Sequence, residues 1–152
     1  MICANTLSIL ITLLALSAGV AQAAGGHASA LGKPGDPAKV DRSIEIATSD
    51  DMRFSPNEVR VKRGQTIRFR VVNGGQMKHE MVLGTLDELQ KHAALMRKFP
   101  EMEHDDPNAV SIEPGQDRRT GLALHPAGDF DFACLVPGHF EAGMRGKIVV
   151  RP

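Results

Sequence analysis

Three residues with metal-binding side chains recur at a spacing of five near the C-terminal end: Cys134, His139 and Met144. They lie in Cys134-Leu135-Val136-Pro137-Gly138-His139-Phe140-Glu141-Ala142-Gly143-Met144, a C-x4-H-x4-M pattern in a turn-rich stretch. One loop can deliver a thiolate, an imidazole and a thioether toward one point. A second imidazole must come from elsewhere, and His79, just after the Gly74-Gly75 break, is the natural donor. Thiolate and thioether are soft and favour copper(I), while imidazole serves both oxidation states. Two histidines and a cysteine in a plane, with a long axial methionine, make the type 1 copper arrangement. Such a site changes little between copper(I) and copper(II), so electron transfer needs little reorganisation. The flanking Leu135, Val136, Pro137 and Phe140 can exclude water and tune the potential. Zinc, the rival metal, seldom uses methionine and prefers four strong ligands. Each residue also has a plainer use: His79 as a structural histidine, Met144 as core filling, Cys134 as an inert buried thiol. Their order and spacing favour one bound copper ion.

A looser set of donors surrounds the first histidine: Met77, Met81, His92, Met96, Met102 and His104. His92 and Met96 are four apart and share a face if that segment is helical. Met96, Met102 and His104 form a candidate second, weaker copper(I) site by ligand type. The competing expectation is that the methionines pack and that His92 is solvated.

These residues need a scaffold, and the pattern around them is β. Ile44 and Ile46 alternate with polar residues, as do Val59 and Val61, then Ile67, Phe69 and Val71. Period-two alternation predicts half-buried antiparallel strands. A short strand is expected over Glu80–Leu83, and others over Val110–Ile112, Arg119–Leu124, Asp129–Cys134 and Lys147–Arg151. Phe130, Phe132 and Cys134 share a face, which sets Cys134 at a strand end on the core side. Thr85 and Glu88 fit a capping box, and good helix formers follow, so one helix is expected over Leu86–Lys98. Pro100 helps to end it. Seven or eight short strands with regular turns and one inserted helix predict an all-β sandwich.

The chain has 152 residues, enough for one domain with a proper core. Lysine plus arginine number 18 and so do aspartate plus glutamate, which argues against a nucleic-acid binder. Tyrosine and tryptophan are absent, so base-stacking platforms are not expected either. Leu7–Leu16 is an apolar run followed by Ala21-Gln22-Ala23, an A-x-A cleavage signal. The expected organisation is a signal peptide over 1–23, a flexible glycine- and proline-rich leader over 24–42, and one domain over 43–152. No membrane insertion is expected after cleavage. Export removes Cys3 with the signal and leaves Cys134 alone in an oxidising compartment, where metal binding gives a thiol a purpose.

The His79, Cys134, His139, Met144 order resembles that of the cupredoxins, the plastocyanin, azurin and rusticyanin group, over roughly Ile44 to Arg151. The resemblance implies a cupredoxin-like Greek-key β-sandwich. Within the group the chain looks most like small periplasmic cupredoxins linked to copper tolerance, through KHEMVLGT, MEHDDPN and CLVPGHFEAGM. Many members carry Asn after the first histidine; here Glu80 stands there, with a bearing on loop geometry and on the colour of the site. In rarer red-copper relatives a carboxylate approaches the metal, a role open to Glu80. The two-cysteine copper-A centre does not fit, because the loop holds only Cys134.

The expected function is periplasmic copper binding in copper tolerance, by a monomer that sequesters the ion or hands it to a delivery partner. The alternative is a small carrier passing electrons between redox partner proteins. Enzyme chemistry is not expected, since G-x-S-x-G and H-E-x-x-H motifs are absent and the chain is short for a multicopper oxidase.

Overall fold

A computed structural model describes residues 29–100 and 106–152. The signal-peptide expectation over 1–23 lies outside the described residues. Two five-stranded sheets face each other. The first has the order β1-β8-β5-β2-β3, from Gly32–Pro34, Asp117–Leu124, Thr66–Asn73, Arg42–Ser49 and Arg53–Ser55. The second has the order β4-β10-β9-β6-β7, from Glu58–Lys62, Arg145–Arg151, Gly128–Ala133, His79–Gly84 and Ala109–Ile112.

The alternating sequence pattern explains the sandwich. Ile44, Ile46, Ile67, Phe69, Val71, Leu122 and Leu124 point inward from the first sheet. Val59, Val61, Met81, Leu83, Phe130, Phe132, Ile148 and Val150 meet them from the second. Each such side chain contributes about 1.5–3 kcal/mol by leaving water. Phe132 and Phe54 pack edge to face with centroids 5.1 Å apart, tying the sheets together.

The helix α1, Leu86–Lys98, begins and ends where the capping box and Pro100 place it. The Thr85 hydroxyl accepts from the Glu88 N–H at 3.3 Å, and Glu88 Oε2 accepts from the Thr85 N–H at 2.7 Å. Leu89, Ala93 and Met96 pack on the outer face of the second sheet, against Val82, Ala133 and Leu135. Strand β6 is therefore buried on both faces along its whole length.

Three features depart from the sequence pattern. The strands are not all antiparallel: β2 runs parallel to β5 and β4 parallel to β10. Alternation reports which face is buried and carries no information on direction. Two short strands, β1 and β3, were not expected. Strand β1 lies within the stretch read as leader; it pairs with β8, and Leu31 beside it is fully buried. Three-residue strands are too short for a periodic signal.

Candidate metal centre

Topology brings the site together. Strands β6 and β9 are antiparallel neighbours, so the start of β6, at His79, lies beside the end of β9, which leads into Cys134. Strands β9 and β10 pair as a hairpin whose connection is the 134–144 loop. That loop is wound on itself. The Cys134 N–H donates to the Met144 carbonyl at 3.1 Å, and the Met144 N–H to the His139 carbonyl at 3.0 Å. Gly138 and Gly143 take φ of 91° and 90°, backbone angles that side chains disfavour, and so permit the two reversals.

His79, Cys134 and His139 offer donor atoms that all lie within 4.8 Å of one another. Both imidazoles aim Nδ1 at the sulfur: Cys134 Sγ lies 3.3 Å from His139 Nδ1 and 4.0 Å from His79 Nδ1. Donors bonded at about 2.0–2.3 Å to one ion in a trigonal plane stand about 3.5–4 Å apart. The spacing and donor types therefore fit a copper ion. All three are buried: Cys134 and His79 completely, and His139 with 9% exposure. Met144 is fully buried in the same cluster as Cys134, at the base of the loop.

The sulfur sits in a polar cradle of backbone. The Glu80 N–H donates to Sγ at 3.2 Å, and the Val136 N–H also points to it. Burial nonetheless outweighs these bonds and pushes the thiol up to about 12. The His139 imidazole is held below its ordinary value, first by burial and then by the neighbouring His79 ring.

Glu80, which follows His79 in β6, is 4% exposed. Its Oε1 accepts from the Ser111 hydroxyl at 3.3 Å across the β6–β7 pair. Of the candidate second site, Met96 alone falls among the described residues. Met96 is buried under α1 with Leu89, Ala93 and Leu135, and Met102 and His104 lie outside the described residues. Met81 packs in the main core, and Met77 is exposed.

Two residues outside the C-x4-H-x4-M loop, Asn73 and Asp50, shape the chain that leads into His79. Asn73 ends β5 and is 1% exposed. Its Nδ2 donates to the Met77 carbonyl at 2.7 Å and the Ile112 carbonyl at 3.1 Å, and its Oδ1 accepts from the Gly75 N–H at 2.9 Å. The β5–β6 connection is thereby folded over a single amide. Asp50, from the β2–β3 turn, accepts from the N–H groups of Gln76 and Met77 at 2.8 and 3.2 Å. The Gln76 bond is the largest influence holding its carboxyl below the usual value. An Asn-Gly-Gly stretch signals a turn in sequence, but not that its amide organises a ligand strand.

A family model described as copper binding proteins, plastocyanin/azurin family, matches residues 40–151. The "Copper-resistant cuproprotein CopI" of Rubrivivax gelatinosus is 49% identical over 132 residues, covering 84% of this chain and 80% of that protein. The protein of the same name from Pseudomonas aeruginosa is 34% identical, covering 94% of each. Among solved structures, auracyanin B aligns with a TM-score of 0.65 at 20% identity, covering 84% of this chain and 97% of that one. Reduced auracyanin from Roseiflexus castenholzii gives 0.64 at 23%, covering 74% and 99%. At such identities the structures speak for the fold alone.

Proposed function

This chain belongs to the plastocyanin/azurin family of copper-binding proteins, and we propose that it is a periplasmic, non-enzymatic protein that holds one copper ion and serves copper tolerance. The ligands in this reading are His79, Cys134, His139 and Met144. The observation that carries it is the convergence of two imidazole Nδ1 atoms on one buried sulfur. When bound, copper supplies a one-electron couple and soft-ligand affinity at that point. The chain's own residues do the rest. The Glu80 and Val136 N–H groups hold the sulfur in place. Cys134 and Met144 belong to the buried apolar core that also holds Phe132 and Met81, which keeps water from the sulfur atoms. Arg53 braces the loop from outside, donating to the Ala142 carbonyl at 3.1 Å.

The names of the relatives favour tolerance as the role. Among the described residues no helix is long and apolar enough to cross a membrane. One observation favours the carrier reading: His139 is the most exposed of the three donors, at 9%, and partly buried Val136 and Phe140 flank it in the loop, a small apolar rim on which a redox partner can dock. Growth on copper separates the two. A strain lacking the gene should become copper-sensitive, with rescue by the wild-type gene and none by Cys134→Ala. Unchanged copper sensitivity together with slowed respiration would reject tolerance in favour of electron transfer.

A further inference from the structure

We propose that Asp50, in the turn between β2 and β3, is a positioning residue that fixes the ring of His79 for copper. The proposal rests on His79 being a ligand, as read above. An imidazole that binds metal through one nitrogen is oriented by the partner of the other. His79 turns Nδ1 toward Cys134 and Nε2 away from it. Nε2 is buried and has no partner at ordinary hydrogen-bond distance among the described residues. The group facing it is Asp50 Oδ1, at 3.5 Å. That distance is at the limit of a hydrogen bond, and it places a carboxylate charge directly against the buried nitrogen.

The carboxylate is built into place. Its two oxygens accept the N–H groups of Gln76 and Met77, the residues leading into His79. Gly75 leaves the slot it occupies: a Cβ there would overlap Asp50 Oδ1 and stand 2.7 Å from its Cγ. The Gly74 N–H donates to the Thr48 carbonyl at 3.0 Å, holding the β5–β6 connection against the same turn. Arg53, at the far end of the turn, reaches the other ligand segment at Ala142. One turn, outside both ligand-bearing segments, thus contacts both.

The consequence is chemical as well as geometric. A carboxylate at Nε2 favours the proton on that nitrogen and leaves the Nδ1 lone pair for the metal. Its negative charge makes the imidazole a stronger donor, which favours copper(II) over copper(I).

The test compares Asp50→Asn, Gly75→Ala and the control Asp51→Asn, which removes the same charge from the same turn. Asp51 faces the Ser49 hydroxyl instead of His79. Nitrogen-15 NMR of the copper-free protein, above the ordinary imidazole range, should show His79 protonated at Nε2 in the wild type. In Asp50→Asn it should show a mixture of tautomers. Titrations with copper(II) and copper(I) should show copper(II) binding weakened about 10–100-fold in Asp50→Asn and Gly75→Ala. Copper(I) binding should change less, and Asp51→Asn should change neither by more than about twofold. A wild-type His79 protonated at Nδ1 would overturn the proposal even if the variants failed to fold. So would equal effects of Asp50→Asn and Asp51→Asn, or wild-type affinities in Asp50→Asn. If the wild type bound no copper, the functional reading would fail, and the tautomer would still decide the role of Asp50.

Discussion

The backbone N–H of Glu80 donates to Cys134 Sγ at 3.2 Å, so the residue after one imidazole caps the sulfur contributed by another strand. The bond needs only the backbone, which is why a glutamate can occupy this position. The side chain adds a buried carboxyl beside the metal position, and its charge acts on the thiol: it raises the Cys134 pKa further.

That charge makes Glu80→Gln informative. The amide keeps the backbone bond and the size of the side chain while removing a negative charge that favours copper(II). The reduction potential should rise, with about 59 mV for each tenfold change in the affinity ratio of the two oxidation states. Redox titration checks this; an unchanged or lower potential would mean that the carboxyl is neutral in the folded protein.

Asn73→Ala should be among the most destabilising single changes outside the core. It leaves the Met77 and Ile112 carbonyls and the Gly75 N–H without their partner. Burying such groups unpaired costs about 1–3 kcal/mol each where water cannot reach them. Urea unfolding of the copper-free protein should show a loss of about 2–4 kcal/mol. A loss below about 0.5 kcal/mol, the size of an ordinary surface change, would mean that the connection does not depend on this amide.

Gly146 permits the closest approach within the second sheet. A Cβ there would stand 2.5 Å from Phe132 Cε2 and 2.7 Å from the Asn57 carbonyl oxygen. The ring can shift but the carbonyl is backbone, so Gly146→Ala should cost about 1–3 kcal/mol or more by overpacking. Thermal unfolding checks it, and a wild-type midpoint would contradict the tight fit.

The acid limb of stability should depend on Asp117. Its carboxyl is held below the usual carboxylate value, chiefly by a hydrogen bond from Arg70 Nε at 2.9 Å. A depressed carboxylate stabilises the fold above its unfolded value, and the contribution is lost as pH falls through the lower folded value. Unfolding free energies measured from pH 5 down to pH 2 should fall less steeply in Asp117→Asn. Because the pair is partly exposed, the difference should shrink with added salt. An identical slope in the two proteins would assign acid sensitivity to other groups.

The C-x4-H-x4-M spacing was enough to find the loop, because one turn-rich segment must bring its three donors to one end of the sandwich. The helix limits were equally plain, since Thr85, Glu88 and Pro100 act locally. Strand direction was not legible, because parallel and antiparallel partners bury the same alternate residues. Asp50 was hidden for a related reason: a carboxylate in a turn gives no local sign of the distant imidazole it faces. Met96 shows the converse limit. Its place on one helix face with His92 fits a ligand and a packing residue alike, and no local sign in the sequence marks the apolar surface of Val82 and Leu135 with which it clusters.

The central claim is that two imidazoles and one thiolate bind a single copper ion. Absorption spectroscopy during titration of the purified chain with cupric ion tests it directly. An intense sulfur-to-copper charge-transfer band should grow to saturation at one equivalent and be missing from Cys134→Ser. A wild-type protein that stays colourless, or a band that survives in Cys134→Ser, would contradict it.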